Sequence, residues 1–354
     1  MKDKFLFEIN KRKIGLKYPP YVIAEISGNH SHDIKKAFKF VDKIKELKID
    51  AIKLQTFTPD KITINSKSKE FTINDKKSIW NGRKLFDLYN EAHMPWAMQE
   101  EVIEYAHKSN VTCFSSPFDE TAVDFLEKMN VPAYKVASFE INHIPLLERI
   151  GKTKKPVILS TGLAYMQEIR LAINTLKKNG CKNLALLKCT SNYPADPSFS
   201  NLETIRDMRK KFHCEVGLSD HTKGIGVAIA SIVFGSSIIE KHITLDTNDG
   251  AVDSKFSLEP KDFKRLKIEV ENCWKSIGKI TYGPTQDDKK NLKFKRSIYF
   301  IKNIKKNQKL TNDDIGIFRP NNGVEPKYLK KIIGKKLNKN IKKNTPVKLK
   351  DFKI

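Results

Sequence analysis

The stretch Glu215–Thr244, EVGLSDHTKGIGVAIASIVFGSSIIEKHIT, contains one complete copy of the unit that builds this chain. Its two outer segments, Glu215–Asp220 and Ile238–Thr244, have the length and apolar character of buried strands. A glycine-containing turn and an apolar segment of helical length separate them. This order predicts two parallel strands joined by a crossover helix.

The same alternation extends over most of the chain and predicts eight strands. They are Val22–Ser27, Ala51–Thr56, Val111–Ser116, Ala133–Ser138, Pro156–Thr161, Leu184–Ser191, Glu215–Asp220 and Ile238–Thr244. Eight such units in about 250 residues predict an α/β fold in which the strands close into a (β/α)8 barrel, the TIM barrel. Catalytic groups of such barrels lie at the carboxyl ends of the strands. Those ends carry Glu25, Lys53, Gln55, Lys135, His221, Glu240 and His242.

The end of this alternation divides the 354 residues into a large and a small domain. Tyr282-Gly283-Pro284 and a charged run follow the last helical segment, so we predict a barrel domain over residues 1–283 and a linker over residues 284–295. Residues 296–354 have short strands, such as Ser297–Ile301, and many turn residues. They predict a small domain that is marginal by itself.

Other segments depart from the strand–helix alternation. Residues 1–20 are interpreted as a lead-in. Residues 57–95 form a long insertion after the second strand, with a helical piece at Leu85–Ala92. An insertion of this length on the carboxyl side of a barrel is typical of a segment that covers a substrate. In the small domain, Lys327–Ile333 is predicted to form one helix.

The chain is strongly basic, with 66 Lys and Arg against 41 Asp and Glu and a net charge of +25. The lysines are spread along the whole sequence and become denser towards its end. No basic helix with base-reading residues and no RNA-binding aromatic motif stands out. We therefore expect no nucleic-acid partner, and a positive field would instead attract anionic substrates. A lysine-rich protein that binds nucleic acid stays as an alternative.

Cysteine use and hydropathy predict a cytoplasmic protein. The five cysteines are scattered and form no CxxC pair, which is typical of reduced thiols. The N-terminal residues have no signal-peptide core. The longest apolar stretch, Val227–Gly235, is far shorter than the ~20 residues of a membrane-spanning helix, so we expect no membrane partner.

His221 and His242 are the candidate metal ligands. Adjacent strands bring both imidazoles to the same mouth of the barrel, and Glu240 and Asp253 lie near them in the sequence. Two neutral imidazoles with open positions suit a divalent transition metal, with Mn²⁺ favoured and Mg²⁺ or Co²⁺ as alternatives. Zn²⁺ fits less well because no third His or Cys is spaced for it. The alternative is a pair of structural histidines.

Lys53 and Lys135 lie inside otherwise apolar strands. A buried lysine is costly unless it meets an anion or a carboxylate. The pair therefore predicts a pocket for a carboxylate or phosphate ligand. Two alternatives stay open, a lysine that forms a Schiff base with its substrate and a structural ion pair with Glu25 or Glu240.

Hydroxyl groups at strand ends add hydrogen-bond donors to this pocket. Ser116 and Ser138 close two strands, and Ser160 opens a Ser-Thr-Gly turn of the kind that binds phosphate at a helix N-terminus. Such turns are also ordinary helix caps. Glu25, at the end of the first strand, could hold substrate hydroxyls or act as a base.

Seven ordered motifs then identify a family. They are Ala24-Glu25-Ile26 with Asn29-His30, Lys53-Leu54-Gln55-Thr56-Phe57, Ser115-Ser116-Pro117-Phe118, Tyr134-Lys135-Val136-Ala137-Ser138, Ser160-Thr161-Gly162, Gly217-Leu218-Ser219-Asp220-His221-Thr222 and Glu240-Lys241-His242. Together they resemble the sialic acid synthase family over nearly the whole chain. The tail resembles the small antifreeze-like domain (SAF, a β-clip) that ends these enzymes.

The resemblance implies a transferase that condenses phosphoenolpyruvate with an open-chain amino sugar and expels phosphate by C–O cleavage. Trp80–Tyr89 and Gly250–Leu258 resemble the pseudaminic acid branch, whose sugar is 2,4-diacetamido-2,4,6-trideoxy-L-altrose. The N-acetylneuraminate and legionaminate branches use the same chemistry on other sugars and stay as alternatives. Ser191 stands where sialic acid synthases tend to have Asn, which puts its substrate contact in doubt.

Roles for individual residues also follow from the resemblance. The phosphate and carboxylate of phosphoenolpyruvate would be held by Lys53, Lys135, Ser138 and Ser160. Further substrate contacts are expected from Gln55, Ser116, Tyr193 and Glu240. A metal on His221 and His242 would polarise the sugar aldehyde, with Glu240 supporting its shell. Glu25 and Asp253 would orient sugar hydroxyls or the attacking water.

The tail has an expected role as well. Arg319 matches the arginine that, in this family, reaches a neighbouring subunit's site and contacts an acyl group. The resemblance thus implies a domain-swapped homodimer.

Overall fold

The structure is a computed structural model that describes residues 7–76 and 78–353. It begins with a short antiparallel hairpin of strands β1 (Phe7–Ile9) and β2 (Arg12–Ile14). Phe7, Ile9 and Ile14 are buried in the same hydrophobic core as the barrel strands. Residues 7–20 therefore contribute to the core, which their interpretation as a lead-in did not anticipate.

Within the described residues, eight parallel strands close into a barrel, and the predicted TIM barrel is confirmed. The strands are β3 (Tyr21–Glu25), β4 (Ala51–Thr56), β5 (Cys113–Pro117), β6 (Tyr134–Val136), β7 (Val157–Ser160), β8 (Leu184–Cys189), β9 (Glu215–Asp220) and β10 (Ile238–His242). Each pairs with the next along the chain, and β10 pairs with β3 to close the ring. This closure places His242 opposite Glu25.

Helices follow the strands and cover the barrel. They are α1 (Ile34–Glu46), α2 (Pro59–Ile62), α3 (Leu85–Ala92), α4 (Trp96–Lys108), α5 (Glu120–Lys128), α6 (Ile144–Lys152), α7 (Met166–Lys178), α8 (Glu203–Phe212), α9 (Gly226–Val233) and α10 (Pro260–Ser276). In the part of the chain that the structure describes, no helix combines the length and the apolar character needed to cross a membrane.

Helix α1 shows how the sequence specifies these elements. Its apolar residues Ala37, Phe40, Val41 and Ile44 recur at helical spacing, and all are buried against the barrel. Asp33 caps the helix, since its carboxylate accepts hydrogen bonds from the backbone N–H groups of the first turn at 2.8 and 3.3 Å. A cap of this kind typically stabilises a helix by about 1 kcal/mol.

Two predicted strands, Ala51–Thr56 and Glu215–Asp220, match the structure residue for residue. Others end earlier than predicted. Strand β6 stops at Val136 because Ser138–Glu140 forms a 3-10 helix. Strand β8 stops at Cys189. At the carboxyl ends of these two strands the chain turns while its residues are still apolar or small. The ends of the strands therefore cannot be located from the pattern of apolar residues alone.

The insertion over residues 57–95, which we call the lid segment, follows β4. It contains α2, a 3-10 helix at Lys69–Phe71 and helix α3, whose bounds match the predicted helical piece. An isolated β-bridge joins Thr72 to Lys84. The described residues of the insertion therefore form local structure of their own after the second barrel strand.

Residues Lys279–Ile354 form a second compact unit, separate from Met1–Gly278. Strand β11 (Ser297–Phe300) pairs antiparallel with β12 (Ile315–Phe318) and with β13 (Thr345–Pro346). The unit has a hydrophobic core of its own. The finer division into a barrel to residue 283, a linker and a tail stays a prediction.

One helix of this second unit was predicted wrongly. Instead of one helix over Lys327–Ile333, the structure has a 3-10 helix at Pro326–Tyr328 followed by the single-turn helix α11 (Leu329–Ile332). Gly334 follows with a φ of +80°, a conformation that favours glycine and ends the helix. The predicted linker also contains a 3-10 helix, Asp288–Phe294.

Candidate active site

A cavity of about 830 Å³ lies at the carboxyl ends of the barrel strands, beside the lid segment. The predicted site residues that line it are Lys53, Gln55, Lys135, Ser138, Ser160, Tyr193, His221, Glu240, His242 and Asp253. Glu25 and Ser116 contact this lining through Lys53. Arg319 lies on the second unit, where it is exposed. The barrel thus brings together every predicted residue that belongs to it.

Lys53 is neutralised by carboxylates of the barrel. Its Nζ lies 2.6 Å from Oε2 of Glu25 and 3.4 Å from Oε1 of Glu240, and it also donates to the Ser116 hydroxyl at 3.3 Å. Burial disfavours the charge of Lys53, but the two carboxylates outweigh that effect and raise its pKa. Lys53 is therefore a charged group that already has its counter-ions.

Lys135 is less well neutralised. Its Nζ donates to the Ser160 hydroxyl at 2.7 Å and to the carbonyl of Val136 at 3.0 Å, whereas Oε1 of Glu240 is 3.8 Å away. Burial lowers the pKa of Lys135, and the positive charge of Lys53 adds to that effect. An anion bound in the cavity would offset this unfavourable burial. Lys135 is thus the ammonium group best suited to a phosphate or carboxylate ligand.

Glu25 is fixed by several donors at the end of β3. Its Oε1 accepts hydrogen bonds from the backbone N–H of Ser27 at 3.0 Å and from Nε2 of Gln55 at 3.1 Å, while Oε2 faces Lys53. Burial raises the pKa of Glu25 to about 7, although Lys53 opposes that rise. A carboxyl group with such a pKa can take up and release a proton near neutral pH.

The two histidines lie beside each other in the cavity, with ring centroids 5.3 Å apart. Nδ1 of His221 lies 2.9 Å from the carbonyl oxygen of Thr190. Because a carbonyl oxygen can only accept, this nitrogen carries a proton, which leaves Nε2 as the nitrogen of His221 that can bind a ligand once its own proton is lost. Burial lowers the pKa of His221, but the neighbouring Cys189 and the carbonyl of Thr190 outweigh burial and raise it. The pKa of His242 is well below its usual range because of burial and the nearby His221 and Lys53. His242 is therefore neutral at physiological pH.

These two imidazoles suit a divalent cation. Nδ1 of His242 is buried and has no hydrogen-bond partner within residues 7–76 and 78–353. The described residues contain no group of three or more His, Cys, Asp or Glu side chains that could hold a metal. A cation bound here would therefore have two protein ligands, and its other positions would be left to substrate and water.

Asp253 and an aromatic cluster form another part of the cavity wall. Oδ2 of Asp253 accepts a hydrogen bond from the backbone N–H of Gly28 at 3.3 Å, and burial raises the pKa of this carboxyl. Nε1 of Trp80, in the lid segment, donates to the carbonyl of Val252 at 3.1 Å. The ring of Tyr193 lies 5.8 Å from that of Trp80 and 4.3 Å from that of His221. The hydrogen bond from Trp80 to Val252 joins the lid segment to the loop after β10.

Comparison with known proteins fits this geometry. The model of the NeuB family matches residues 40–282, and the model of the SAF domain matches residues 295–353. The chain belongs to the NeuB family. The predicted sialic acid synthase family, the barrel followed by a SAF domain and the class of enzyme, a transferase, are confirmed.

Individual NeuB-family relatives cover nearly the whole chain. A pseudaminic acid synthase of Campylobacter jejuni is 38% identical over 94% of this chain and 96% of its own length. An N,N'-diacetyllegionaminic acid synthase of the same species is 35% identical over 91% of this chain and 97% of its own length. The crystal structure of N-acetylneuraminic acid synthetase from Leptospira borgpetersenii in complex with citrate superimposes with a TM-score of 0.71 and 29% identity, over 82% of this chain and 96% of that one.

Glu140 is a cavity residue of this NeuB-family chain that the sequence analysis missed. It lies in the 3-10 helix after β6 and lines the cavity. Burial raises its pKa to about 7, and its Oε2 is buried with no hydrogen-bond partner in the described part of the chain. The signal was its spacing, two residues after Ser138. The predicted strand ends at Ser138, and its pattern does not cover the residues beyond it.

Cys189 was also missed, since free cysteines were considered only as a guide to the cellular compartment. It ends β8, lines the cavity, and its Sγ lies 3.7 Å from the hydroxyl of Ser191. Burial alone would raise the pKa of this thiol, but the neighbouring His221 outweighs burial and lowers it to about 6. Ser191, the residue that departs from the family pattern, lines the cavity as well.

Proposed function

We propose that this protein condenses phosphoenolpyruvate with 2,4-diacetamido-2,4,6-trideoxy-L-altrose and so forms pseudaminic acid and phosphate. The Campylobacter relative named a pseudaminic acid synthase, 38% identical over nearly the full length of both chains, supports this sugar. The observation that carries the proposal is one cavity that holds both a weakly neutralised ammonium group, Lys135, and two neighbouring imidazoles, His221 and His242.

Phosphoenolpyruvate would bind at Lys135. The ammonium group of Lys135, the hydroxyl of Ser160 that it contacts and the unpartnered hydroxyl of Ser138 offer donors to a phosphate or carboxylate. Lys53 would add less to this binding than the sequence suggested, because Glu25 and Glu240 already neutralise it. Glu240 would balance the two lysines, as its distances to both indicate.

His221 and His242 would hold the divalent metal, with Mn²⁺ favoured and Mg²⁺ or Co²⁺ as alternatives. A bound metal would supply Lewis-acid polarisation of the sugar aldehyde. The chain's own contribution is to prepare the two imidazoles. The carbonyl of Thr190 fixes the tautomer of His221, and burial keeps His242 neutral.

The carbon–carbon bond would form between C3 of phosphoenolpyruvate and the aldehyde carbon of the open-chain sugar. The aldehyde oxygen becomes a hydroxyl, and cationic character develops at C2. Water adds at C2, the C2–O bond to phosphate breaks, and phosphate leaves with its bridging oxygen while C2 becomes a keto group. Glu25 can take the proton that the water releases, since its pKa lies near 7, and Asp253 would orient sugar hydroxyls.

The test is a comparison of sugars with the purified full-length protein. Phosphate release is measured with phosphoenolpyruvate, Mn²⁺ and, in turn, the altrose derivative, the legionaminate precursor and N-acetylmannosamine. We expect the altrose derivative to have the highest kcat/KM. Phosphate release with N-acetylmannosamine but not with the altrose derivative would contradict the proposed sugar.

A different mechanism, a Schiff-base aldolase, is favoured by one observation. The lowered pKa of Lys135 would leave a larger fraction of its amine unprotonated and able to attack a carbonyl. This mechanism predicts that borohydride traps a substrate on Lys135 and that chelators have no effect. The proposed synthase predicts no trapping and loss of activity in EDTA, so the two experiments separate the mechanisms.

The proposal includes a domain-swapped homodimer in which Arg319 of one subunit reaches the sugar site of the other. Arg319 is exposed beside Pro320, whose carbonyl accepts hydrogen bonds from Ser297 and Tyr299. These bonds tie the turn that carries Arg319 to the sheet of its own unit.

A further inference from the structure

A buried ion pair joins the two histidine-bearing strands on the outer face of the barrel. Nζ of Lys241, in β10, lies 2.7 Å from Oδ2 of Asp220, in β9, and both side chains are 1% exposed. The two residues are direct register partners in neighbouring strands. Since strand residues alternate in direction, Asp220 and Lys241 point to the helices while His221 and His242 line the cavity.

The same ammonium group holds the chain on both sides of His221. Besides Asp220, Nζ of Lys241 contacts the carbonyl oxygen of Thr222 at 2.6 Å. Oδ1 of Asp220 in turn accepts from the backbone N–H of Thr222 at 2.9 Å and from its hydroxyl at 2.8 Å. We call these three residues, Asp220, Thr222 and Lys241, the Lys241 bridge. Asp220 and Thr222 flank His221 in the chain, and Lys241 directly precedes His242.

General stabilisation is a poor explanation for such a bridge. Removing two charges from water costs free energy that their attraction often does no more than balance, so a buried ion pair is weak evidence for stability. What the pair does supply is a fixed geometry, because both carboxylate oxygens of Asp220 and the ammonium group of Lys241 have partners within the bridge. Residues that hold a metal ligand in place without contacting the metal commonly lower the metal affinity by 10- to 100-fold when they are removed.

We propose that the Lys241 bridge is a positioning device that sets the relative placement of His221 and His242 and thereby their affinity for a divalent cation. The proposal rests on the metal site described under the proposed function. The ring of His221 is held by the carbonyl of Thr190, in the segment after β8, and Lys241 of β10 holds the residues on either side of His221 in the chain. The position of His221 is thus tied to both neighbouring strands.

The test measures Mn²⁺ binding by the full-length protein, with the electron paramagnetic resonance signal of free Mn²⁺ as the readout. Asp220→Asn keeps an oxygen that can accept from Thr222 but loses the charge that holds Lys241. The double variant Asp220→Asn/Lys241→Met removes both charges, so that no unpaired charge stays buried if the first variant folds poorly. We expect both variants to bind Mn²⁺ at least tenfold more weakly than wild type.

Glu215→Gln is the matched control. Glu215 begins the same strand, β9, is fully buried and forms a bidentate ion pair with Arg209 at 2.6 and 3.0 Å. Loss of the Glu215 charge should lower the thermal unfolding temperature without changing Mn²⁺ affinity, because Glu215 lies at the end of β9 that is distant from His221. An equal loss of Mn²⁺ affinity in Glu215→Gln would mean that general destabilisation explains the effect, and the positioning role would be wrong.

The remaining outcomes separate this inference from the proposed metal site. If wild type binds Mn²⁺ and His221→Ala abolishes that binding, but the bridge variants bind as wild type does, the metal site stands and the positioning role is overturned. If wild type does not bind Mn²⁺, or His221→Ala binds it equally well, both the metal site and the positioning role are wrong.

Discussion

Buried polar atoms without a partner indicate the ligand positions more directly than the buried charges do. Almost every buried polar group in a folded protein has a hydrogen-bond partner. Among the residues that the structure describes, Oγ of Ser138, Oε2 of Glu140 and Nδ1 of His242 have none, and all three residues line the same cavity. Substrate, water or metal is therefore the expected partner of each.

Ser138→Ala should weaken phosphoenolpyruvate binding without weakening the fold. The hydroxyl of Ser138 has no hydrogen bond to lose within the described residues. Its bond to an anionic ligand would be worth about 1.5–3 kcal/mol, which corresponds to an increase in KM of roughly tenfold or more. Initial rates of phosphate release at varied phosphoenolpyruvate would measure this change.

Ser231→Ala is the matched control for that prediction. Ser231 is a fully buried serine of α9, outside the cavity lining, and donates to the carbonyl of Ala228 at 2.7 Å. Its loss should lower the unfolding temperature and leave the KM for phosphoenolpyruvate unchanged. An unchanged KM in Ser138→Ala would remove Ser138 from the anion pocket.

Glu140 should make the stability of the ligand-free protein depend on pH. Burial raises the pKa of Glu140 from 4.5 to about 7. Between these two values the unfolded chain has lost the proton while the folded protein keeps it, so the free energy of unfolding falls as pH rises and levels off above about pH 7. Glu140→Gln removes this pH-dependent decrease. The free energy of unfolding of the variant minus that of wild type should therefore be larger at pH 8 than at pH 5, by up to about 3 kcal/mol.

Chemical denaturation of both proteins at pH 5 and pH 8 measures that difference. Glu148→Gln, which changes an exposed glutamate of α6, serves as the control and should give the same difference from wild type at both pH values. A pH-independent difference for Glu140→Gln would show that the carboxyl group of Glu140 is ionised throughout this range.

At the scale of elements, the contact of the lid segment with the loop after β10 concerns the choice of sugar. Trp80→Phe keeps an aromatic ring but loses the Nε1–H that donates to Val252. A neutral hydrogen bond is worth about 1 kcal/mol, so we expect the KM for the sugar to rise roughly fivefold and the KM for phosphoenolpyruvate to stay unchanged. Steady-state kinetics with each substrate varied in turn would measure both.

Trp96→Phe is the control for the lid contact. Trp96 begins α4 and stacks on Phe125 at 4.9 Å, and its Nε1 is buried without a hydrogen-bond partner in the described part of the chain. This variant loses no hydrogen bond, and neither KM should change. Equal values for the sugar KM in Trp80→Phe and wild type would mean that the lid segment does not affect sugar binding through this bond.

The sequence predicted the barrel elements better than the short ones, for a physical reason. Strands such as Val157–Ser160 are buried on both faces, and their apolar runs indicate them directly. Strands β1 and β2, with three residues each, are too short for a periodic pattern. The 3-10 helix that carries Glu140 was missed because the backbone turns there without a glycine or proline to signal the turn.

The sequence also identified most of the chemically active cavity residues and offered an ion pair of one lysine with Glu25 or Glu240 as an alternative, but it did not indicate which lysine would be paired. Which carboxylate meets Lys53 depends on how the ring closes, and Glu240 lies far from it in the sequence. Closure brings strand β10 beside β3, so Glu25 and Glu240 both reach Lys53 while Lys135 is left with a distance of 3.8 Å. Spacing along the chain does not indicate that a carboxylate oxygen lies 2.6 Å from Nζ of Lys53 but 3.8 Å from Nζ of Lys135.

At the scale of the whole molecule, the proposed domain swap can be tested by complementation. His221→Ala subunits lack the proposed metal ligand, and Arg319→Ala subunits lack the tail arginine. In a mixed dimer with exchanged tails, the Arg319→Ala barrel would receive an intact arginine from its His221→Ala partner. We therefore expect each mixed dimer to have one complete site and about half the activity of wild type.

Co-expression with two affinity tags, followed by sequential purification, isolates the mixed dimers for this assay. Each homodimer, purified in the same way, supplies the background rate. Mixed dimers no more active than these homodimers would mean that Arg319 acts in its own subunit or not at all.

Ring closure also has a consequence for synthesis of the chain. Lys53 and Lys135 leave the ribosome well before Glu240, the carboxylate that approaches both of them. A nascent barrel that ends before β10 would thus have to bury two ammonium groups with Glu25 as their nearest counter-charge, and the edges of β3 and β9 would stay unpaired. Such fragments should remain open and depend on chaperones, so that the last strand completes the fold and the catalytic centre in the same event.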